Sequence, residues 1–215
     1  MPVKKKARKK SSSIWLNRQK RDPYVRQAQQ AGYRSRASFK LLELHQANKL
    51  FKPGMCIVDL GAAPGGWSQV LASLVGKKGQ IYALDLLDMP PIPGVTFLHG
   101  DFTCAKIQQK ITENLAGFAV HWVISDMAPN LSGVRDIDHP KMMALAEEAW
   151  AFAKRVLAPN GGFLVKLFQG EAVKPFIQEI KPHFKEVVIR KPGASRAESS
   201  EVYLLAQGYK KELDR

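Results

Sequence analysis

From Gly54 onward the chain alternates between two patterns. Short apolar runs rich in Val, Ile, Leu and Phe are separated by stretches in which apolar residues recur every three or four positions. The first pattern suits buried strands and the second suits amphipathic helices. Their alternation predicts βαβ units around a largely parallel sheet. Strands are expected at 56–60, 80–84, 95–98, 120–125, 162–167, 186–190 and 202–207, and helices at 67–75, 105–114, 140–157 and 172–180. The link between the last two strands is too short for a crossover helix, so these strands should pair antiparallel. The expected fold class is therefore α/β, Rossmann-like, with a seven-stranded, mostly parallel sheet whose last strand is antiparallel.

The part before Gly54 reads differently. Residues 1–13 form a Lys-rich tail followed by serines, with nothing to bury, and are expected to be disordered. A weak helical pattern runs over 22–31 and ends at Gly32. A better one runs over 36–48, with Ser35 as its N-cap and Ala37, Leu41 and Leu44 on one face. Phe51-Lys-Pro-Gly54 makes a turn. The expected organisation is a basic tail (1–13), a basic helical extension (14–52) and one catalytic domain (53–215).

Charge sharpens that division. The net charge of +14 comes from 33 Lys/Arg and 19 Asp/Glu. Residues 1–52 hold 15 of those cations against only Asp22 and Glu43, which leaves +13 there and +1 in the remainder. Basic residues interleaved with Trp15, Tyr24, Tyr33 and Phe39 indicate a polyanion partner, because each cation that replaces a condensed counterion on a phosphate backbone gains affinity. A solvated tail that only aids solubility is the plainer alternative for residues 1–13. No apolar run approaches the roughly 18 residues of a membrane span. The start is too charged for a secretory signal, and a mitochondrial transit peptide fits it poorly for want of an Arg-rich amphipathic stripe. Two cysteines, Cys56 and Cys104, make neither a disulfide framework nor a zinc site, and the histidines lack metal spacing. The expectation is a cytoplasmic monomer without metal or membrane contact.

Candidate chemistry starts where the first strand ends. Gly61-Ala-Ala-Pro64-Gly65-Gly66-Trp67 is a glycine-rich turn into a helix, where the backbone can approach a ligand and free N–H groups point outward. Pro64 suits a position near the helix start. The spacing is not that of a dinucleotide GxGxxG loop, and no Gly-Lys-Ser/Thr is present to hold phosphates. An adenosine-bearing ligand without pyrophosphate suits it better. Trp67 is either core or an apolar wall beside that ligand. Asp85, Asp101 (followed by Phe102) and Asp126 lie at the ends of successive strands, where open α/β sheets bind ligands. Asp85 is placed to accept from ribose hydroxyls and Asp101 from an adenine amino group.

Lys166 interrupts the apolar run Phe163-Leu-Val-Lys-Leu-Phe168, a costly place for a charge unless it has a partner. The fold above brings it beside Asp126. Glu201 opens the final antiparallel strand on the same edge, and Lys40 comes from the basic helix that would roof the cleft. Seven strands with an antiparallel final hairpin distinguish Rossmann-like methyltransferases from dinucleotide folds, and two lysines and two carboxylates then converge where a methyl donor would point. Methyl transfer to a sugar hydroxyl needs the oxygen aligned and its proton taken by a base. Burial beside a second cation eases proton loss from an ammonium, while neighbouring acids oppose it. Lys40 could orient the hydroxyl and stabilise oxyanion charge. A base-carbon acceptor would want a cysteine nucleophile. An amino acceptor would want an aromatic after Ser125-Asp-Met-Ala-Pro-Asn130.

The motifs Tyr33-Arg34-Ser-Arg36-Ala-Ser-Phe-Lys40, Asp59-Leu-Gly61-Ala-Ala-Pro64-Gly65-Gly66-Trp67, Ser125-Asp126-Met-Ala-Pro-Asn130, Val165-Lys166 and Arg196-Ala-Glu-Ser-Ser-Glu201 together resemble the FtsJ/RrmJ family of ribose 2′-O-methyltransferases over about residues 14–209. The resemblance implies a class I methyltransferase fold that uses S-adenosyl-L-methionine. It implies a Lys-Asp-Lys-Glu tetrad at Lys40, Asp126, Lys166 and Glu201, with Lys166 as proton acceptor. It also implies donor binding by Gly65, Trp67, Asp85, Asp101 and Asp126, within the set Gly61, Pro64, Gly66 and Phe102 of the same cleft. Arg34, Arg36, Lys40 and Arg196 are then expected to contact RNA. The compact length is similar to the bacterial members acting on a uridine of large-subunit (23S) ribosomal RNA, in the A-loop of the assembled 50S subunit. Members acting on tRNA or mitochondrial rRNA share the tetrad, and a non-catalytic RNA-binding assembly factor could keep the fold.

Overall fold

The computed structural model describes residues 22–211. The tail 1–13 and the first residues of the extension therefore lie outside the described residues. Fourteen elements follow in order: α1 (Pro23–Gln30), α2 (Ala37–Asn48), β1 (Cys56–Leu60), α3 (Gly66–Val75), β2 (Gln80–Asp85), β3 (Val95–His99), α4 (Ala105–Asn114), β4 (Val120–Ser125), α5 (Arg135–Val156), β5 (Leu157–Phe168), α6 (Val173–Ile180), a 3₁₀ turn (Lys181–His183), β6 (Phe184–Arg190) and β7 (Glu201–Tyr209). The strands form one sheet in the order β3-β2-β1-β4-β5-β7-β6. β7 slots between β5 and β6 and runs antiparallel to both, while the other neighbouring pairs are parallel.

Side-chain alternation along the strands builds two layers of core. Val58, Val123, Phe163, Val165, Leu204 and Ala206 face α5 and α6, where Met143, Trp150, Phe152, Phe176 and Ile180 cover them. Ile57, Trp122, Ile124, Leu164, Tyr203 and Leu205 face the other way, against Leu41 and Leu44 of α2 and Trp67, Val70 and Leu71 of α3. Each buried aliphatic or aromatic side chain contributes on the order of 2 kcal/mol of hydrophobic stabilisation, so the docking of α2 onto the sheet is a core contact. The parity decides the site. Lys166 shares the face of Leu164, Glu201 shares that of Tyr203, and Asp126 continues Trp122 and Ile124. All three therefore point to the side that α2 roofs.

Three details differ from expectation. Ser35 does not cap α2; the cap position is Arg36, whose side chain makes no capping bond to the helix. α5 begins at Arg135 and carries Pro140 inside it. The Asp138 carboxylate accepts from the backbone N–H groups of Ser132 and Gly133 and from the Ser132 hydroxyl, which folds the preceding loop onto the helix start and extends it. β5 starts at Leu157 rather than 162, through an irregular stretch beside β4. No helix among the described residues is long and apolar enough to cross a membrane.

Candidate active site

The β1–α3 turn needs its glycines for two separate reasons. Gly61 has φ +77°, and a Cβ there would lie 2.7 Å from the backbone nitrogen of Met127. Gly66 meets the neighbouring loop, where a Cβ would fall 2.2 Å from the Ser35 hydroxyl. Ser35 is thus a packing contact of this turn and not a helix cap. Gly65 precedes the helix and donates to the Ala62 carbonyl at 2.7 Å, and Pro64 follows a cis peptide bond in the same turn.

Beyond the turn lies a cleft of about 320 Å³ lined by Gly61, Ala63, Asp85, Asp101, Phe102, Asp126 and Met127, among others. Asp85 is held by two backbone donors, Ala63 N–H at 2.9 Å and Leu87 N–H at 2.7 Å, which fixes its carboxylate at the cleft wall. Asp101 is exposed. The Thr103 hydroxyl and N–H both donate to it and hold it below the usual carboxylate range. Phe102 is buried against Phe152.

At the inner end of the cleft the sheet presents its charged cluster. Lys166, 6% exposed, lies 3.0 Å from an Asp126 oxygen and also donates to the Asp126 carbonyl. Lys40 reaches down from α2 to Glu201 at 2.6 Å. The four residues that sequence reasoning singled out are therefore brought together as two ion pairs. Burial opposes ionisation of Asp126, but the Lys166 and Lys40 charges and the hydrogen bonds from Lys166 and Tyr203 more than offset it. Its carboxyl is held below the usual range.

Tyr203 joins the pairs and was not singled out from sequence. It faces Lys166 across the β5–β7 register, and its hydroxyl lies 2.9 Å from Asp126 and 3.3 Å from Glu201. Burial first, then the two carboxylates, keeps that hydroxyl protonated well beyond its usual range. Ser195 also donates to Glu201, at 2.9 Å. Only the alternation along β7 could have flagged Tyr203, and nothing local flagged Ser195.

Asp59 lies beneath the turn, fully buried. Its Oδ2 accepts from Ser68 at 2.6 Å while its Oδ1 has no partner. Desolvation pushes its carboxyl up to about 7.

One expected contact sits elsewhere. Trp67 is core and not an apolar wall of the cleft: it is 2% exposed, and its indole N–H donates to Ala37 at 2.8 Å. Together with Gln69, which binds the backbone of Gly32 and Arg34, it staples the basic extension to α3. That leaves the first-turn backbone of Trp67, and not its ring, as the part available to a ligand. Arg34 donates to the carbonyls of Pro64, Pro90 and Pro91. Arg36 pairs with Asp22 and donates to Ala194, and Arg196 approaches the same Asp22 at 3.5 Å. These three arginines engage the protein's own carbonyls and Asp22, because a guanidinium with five donors readily satisfies several acceptors at once.

Comparison with known proteins agrees with this geometry. Residues 33–209 match the family model of the FtsJ-like methyltransferases. A protein of Alkalilimnicola ehrlichii named Ribosomal RNA large subunit methyltransferase E is 51% identical over 205 residues, covering 95% of this chain and 98% of that protein. A Pseudomonas fluorescens protein of the same name is 50% identical over 204 residues, with coverage of 95% and 98%. The solved structure of a protein described as a ribosomal RNA methyltransferase from Plasmodium falciparum superposes with a TM-score of 0.73 at 27% identity, covering 82% of this chain and 98% of that one. The seven-stranded sheet with one reversed strand, the cleft beside the glycine turn and these matches agree, and the chain belongs to the FtsJ-like methyltransferase family.

Proposed function

We propose that this enzyme transfers a methyl group from S-adenosylmethionine to the 2′-hydroxyl of a uridine ribose in large-subunit ribosomal RNA, with the A-loop of the assembled 50S subunit as its target. The observation that carries the reading is the pair of ion pairs, Lys166–Asp126 and Lys40–Glu201, at the inner end of the cleft that holds Asp85 and Asp101. The relatives named as large-subunit rRNA methyltransferases support the choice of substrate.

The cleft suits an adenosine-bearing donor. Asp85 has its carboxylate fixed by backbone donors at a strand end, ready to accept from ribose hydroxyls. Asp101 and the Phe102 backbone border the outer part, where an adenine amino group needs an acceptor. Gly61, Pro64, Gly65, Gly66 and the Trp67 backbone form the turn at the other end, suited to an amino-acid carboxylate by the free N–H groups of the α3 start. When bound, S-adenosylmethionine supplies an electrophilic methyl group.

The chain's own groups do the rest. Lys166, acting as the neutral amine after its ammonium has released a proton, takes the proton of the 2′-hydroxyl as its oxygen attacks. Asp126, kept ionised, fixes the Lys166 head and borders the donor. Lys40, fixed by Glu201, aligns the ribose and offsets negative charge developing on the oxygen. Lys166 is buried at a strand end, so its position is set by the sheet and not by a loop. The excess positive charge of residues 1–52 supports attraction of an RNA backbone.

The test supplies methyl-labelled donor with purified 50S subunits, naked 23S rRNA and tRNA in parallel. Label in the large subunit, at one uridine ribose, is expected. Label confined to tRNA, or no transfer to any RNA, contradicts the reading.

A further inference from the structure

Helix α2 presents one stripe of side chains to the segment that joins β6 to β7. Arg36, at its N-terminal end, donates to the carbonyl of Ala194. Lys40, one turn on, pairs with Glu201 at 2.6 Å. Glu43, nearly a turn further, accepts from the N–H of Ala194 at 3.1 Å. Spacings of four and three residues place all three on one helix face. Ala194 is thus bonded to the same helix through both its N–H and its C=O. Ser195 N–H donates to Pro192 at 2.9 Å and closes the turn.

That turn aims one group at the charged cluster. Ser195 is 7% exposed, and its hydroxyl donates at 2.9 Å to Oε1 of Glu201, the oxygen that also takes Lys40. Tyr203 reaches this oxygen at 3.3 Å, but its single proton has a nearer acceptor in Asp126 at 2.9 Å, so it cannot hold Glu201 as well. A lone pairing between two long flexible side chains leaves both with torsional freedom. A second donor from a pinned turn removes it.

We propose that Ser195 is a positioning residue for methyl transfer: held by Arg36 and Glu43 of α2, it fixes Glu201 and, through Glu201, the ammonium of Lys40 against the acceptor ribose. The inference rests on the reading of Lys40 and Glu201 given above. It also explains why Arg36 is turned inward, since its guanidinium sets the turn that carries Ser195.

The test is a mutant cycle on the full-length enzyme with 50S subunits and methyl-labelled donor under single-turnover conditions. Ser195→Ala removes one hydrogen bond to a charged group while leaving the turn's backbone bonds, so the rate should fall about tenfold. Affinities for donor and subunit should stay within about twofold, because Ser195 lies outside the donor cleft and acts through Glu201. In a Glu201→Ala background the same substitution should cost nothing further, since the acceptor that Ser195 fixes is gone. Undiminished turnover by Ser195→Ala, a loss expressed only in subunit affinity, or a full tenfold loss added on top of Glu201→Ala overturns the proposal. The unsubstituted enzyme is run alongside: if it transfers no methyl to the subunit, the functional reading itself fails, a result distinct from any pattern among the variants.

Discussion

Asp59 offers a quantitative handle on the floor of the site. It is fully buried, one of its oxygens has no partner, and only Ser68 offsets its desolvation. A carboxyl moved from the usual 3.8 to about 7, at about 1.4 kcal/mol per tenfold change in the protonation equilibrium, costs the native state roughly 4 kcal/mol when ionised. The native state therefore binds a proton here that the unfolded chain has released. Below about pH 4 both states are protonated and the cost is absent. Between pH 4 and 7 it grows, and above 7 it is complete. Asp59→Asn removes the titration and keeps the shape, at a pH-independent cost for the new buried amide. The assay is urea denaturation of both proteins from pH 4 to 8. Relative to the unsubstituted protein, Asp59→Asn should gain about 2–4 kcal/mol across that range, the lower figure allowing for water penetration. A difference that stays flat from pH 4 to 8 would show that Asp59 titrates normally, and the reasoning would be wrong. Asp126, Asp101 and Asp138, all held below the usual range, act in the opposite sense, and their contributions are lost only as pH falls below about 4. They cancel in the comparison.

Asp85→Ala should weaken binding of S-adenosylmethionine at least about tenfold by calorimetry, as loss of a charged acceptor implies; unchanged affinity would remove Asp85 from the donor site. Trp67→Phe deletes the bond to Ala37 and should lower stability by about 1 kcal/mol in urea, with the α1–α2 region becoming more open to proteolysis; a variant as stable and resistant as the parent refutes the staple. Removing residues 1–21 should weaken subunit binding and flatten its dependence on salt, and an unchanged slope would show that these cations contact no phosphate.

Much of the fold was legible because the strands are near-continuous apolar runs and the helices carry clear periodicity. The final hairpin followed from its short link alone. Lys166 stood out for the same reason, as a charge in an otherwise apolar strand, and its partners followed from strand ends that share one edge. What escaped depends on contacts over long separations. Ser195 and Tyr203 gain meaning only when β7 enters the sheet beside β5, and Trp67 gains its partner only when α2 docks. The bonds of Arg34, Arg36 and Arg196 were hidden as well, because sequence shows their charge and not the carbonyls and the Asp22 that engage them. The early start of α5 was hidden because Asp138 reaches back to bond the preceding loop, which outweighs the breaking tendency of Pro140.

The central claim is that this cluster of lysines and carboxylates methylates a ribose oxygen, with Lys166 as the base. It is tested most directly by transferring labelled methyl to 50S subunits with the unsubstituted enzyme and with Lys166→Ala, then digesting the rRNA in alkali. Label is expected in an alkali-resistant dinucleotide that contains a uridine, with a fall of at least about a hundredfold for Lys166→Ala while donor binding persists. Label released as a methylated base, or full activity in Lys166→Ala, would contradict it.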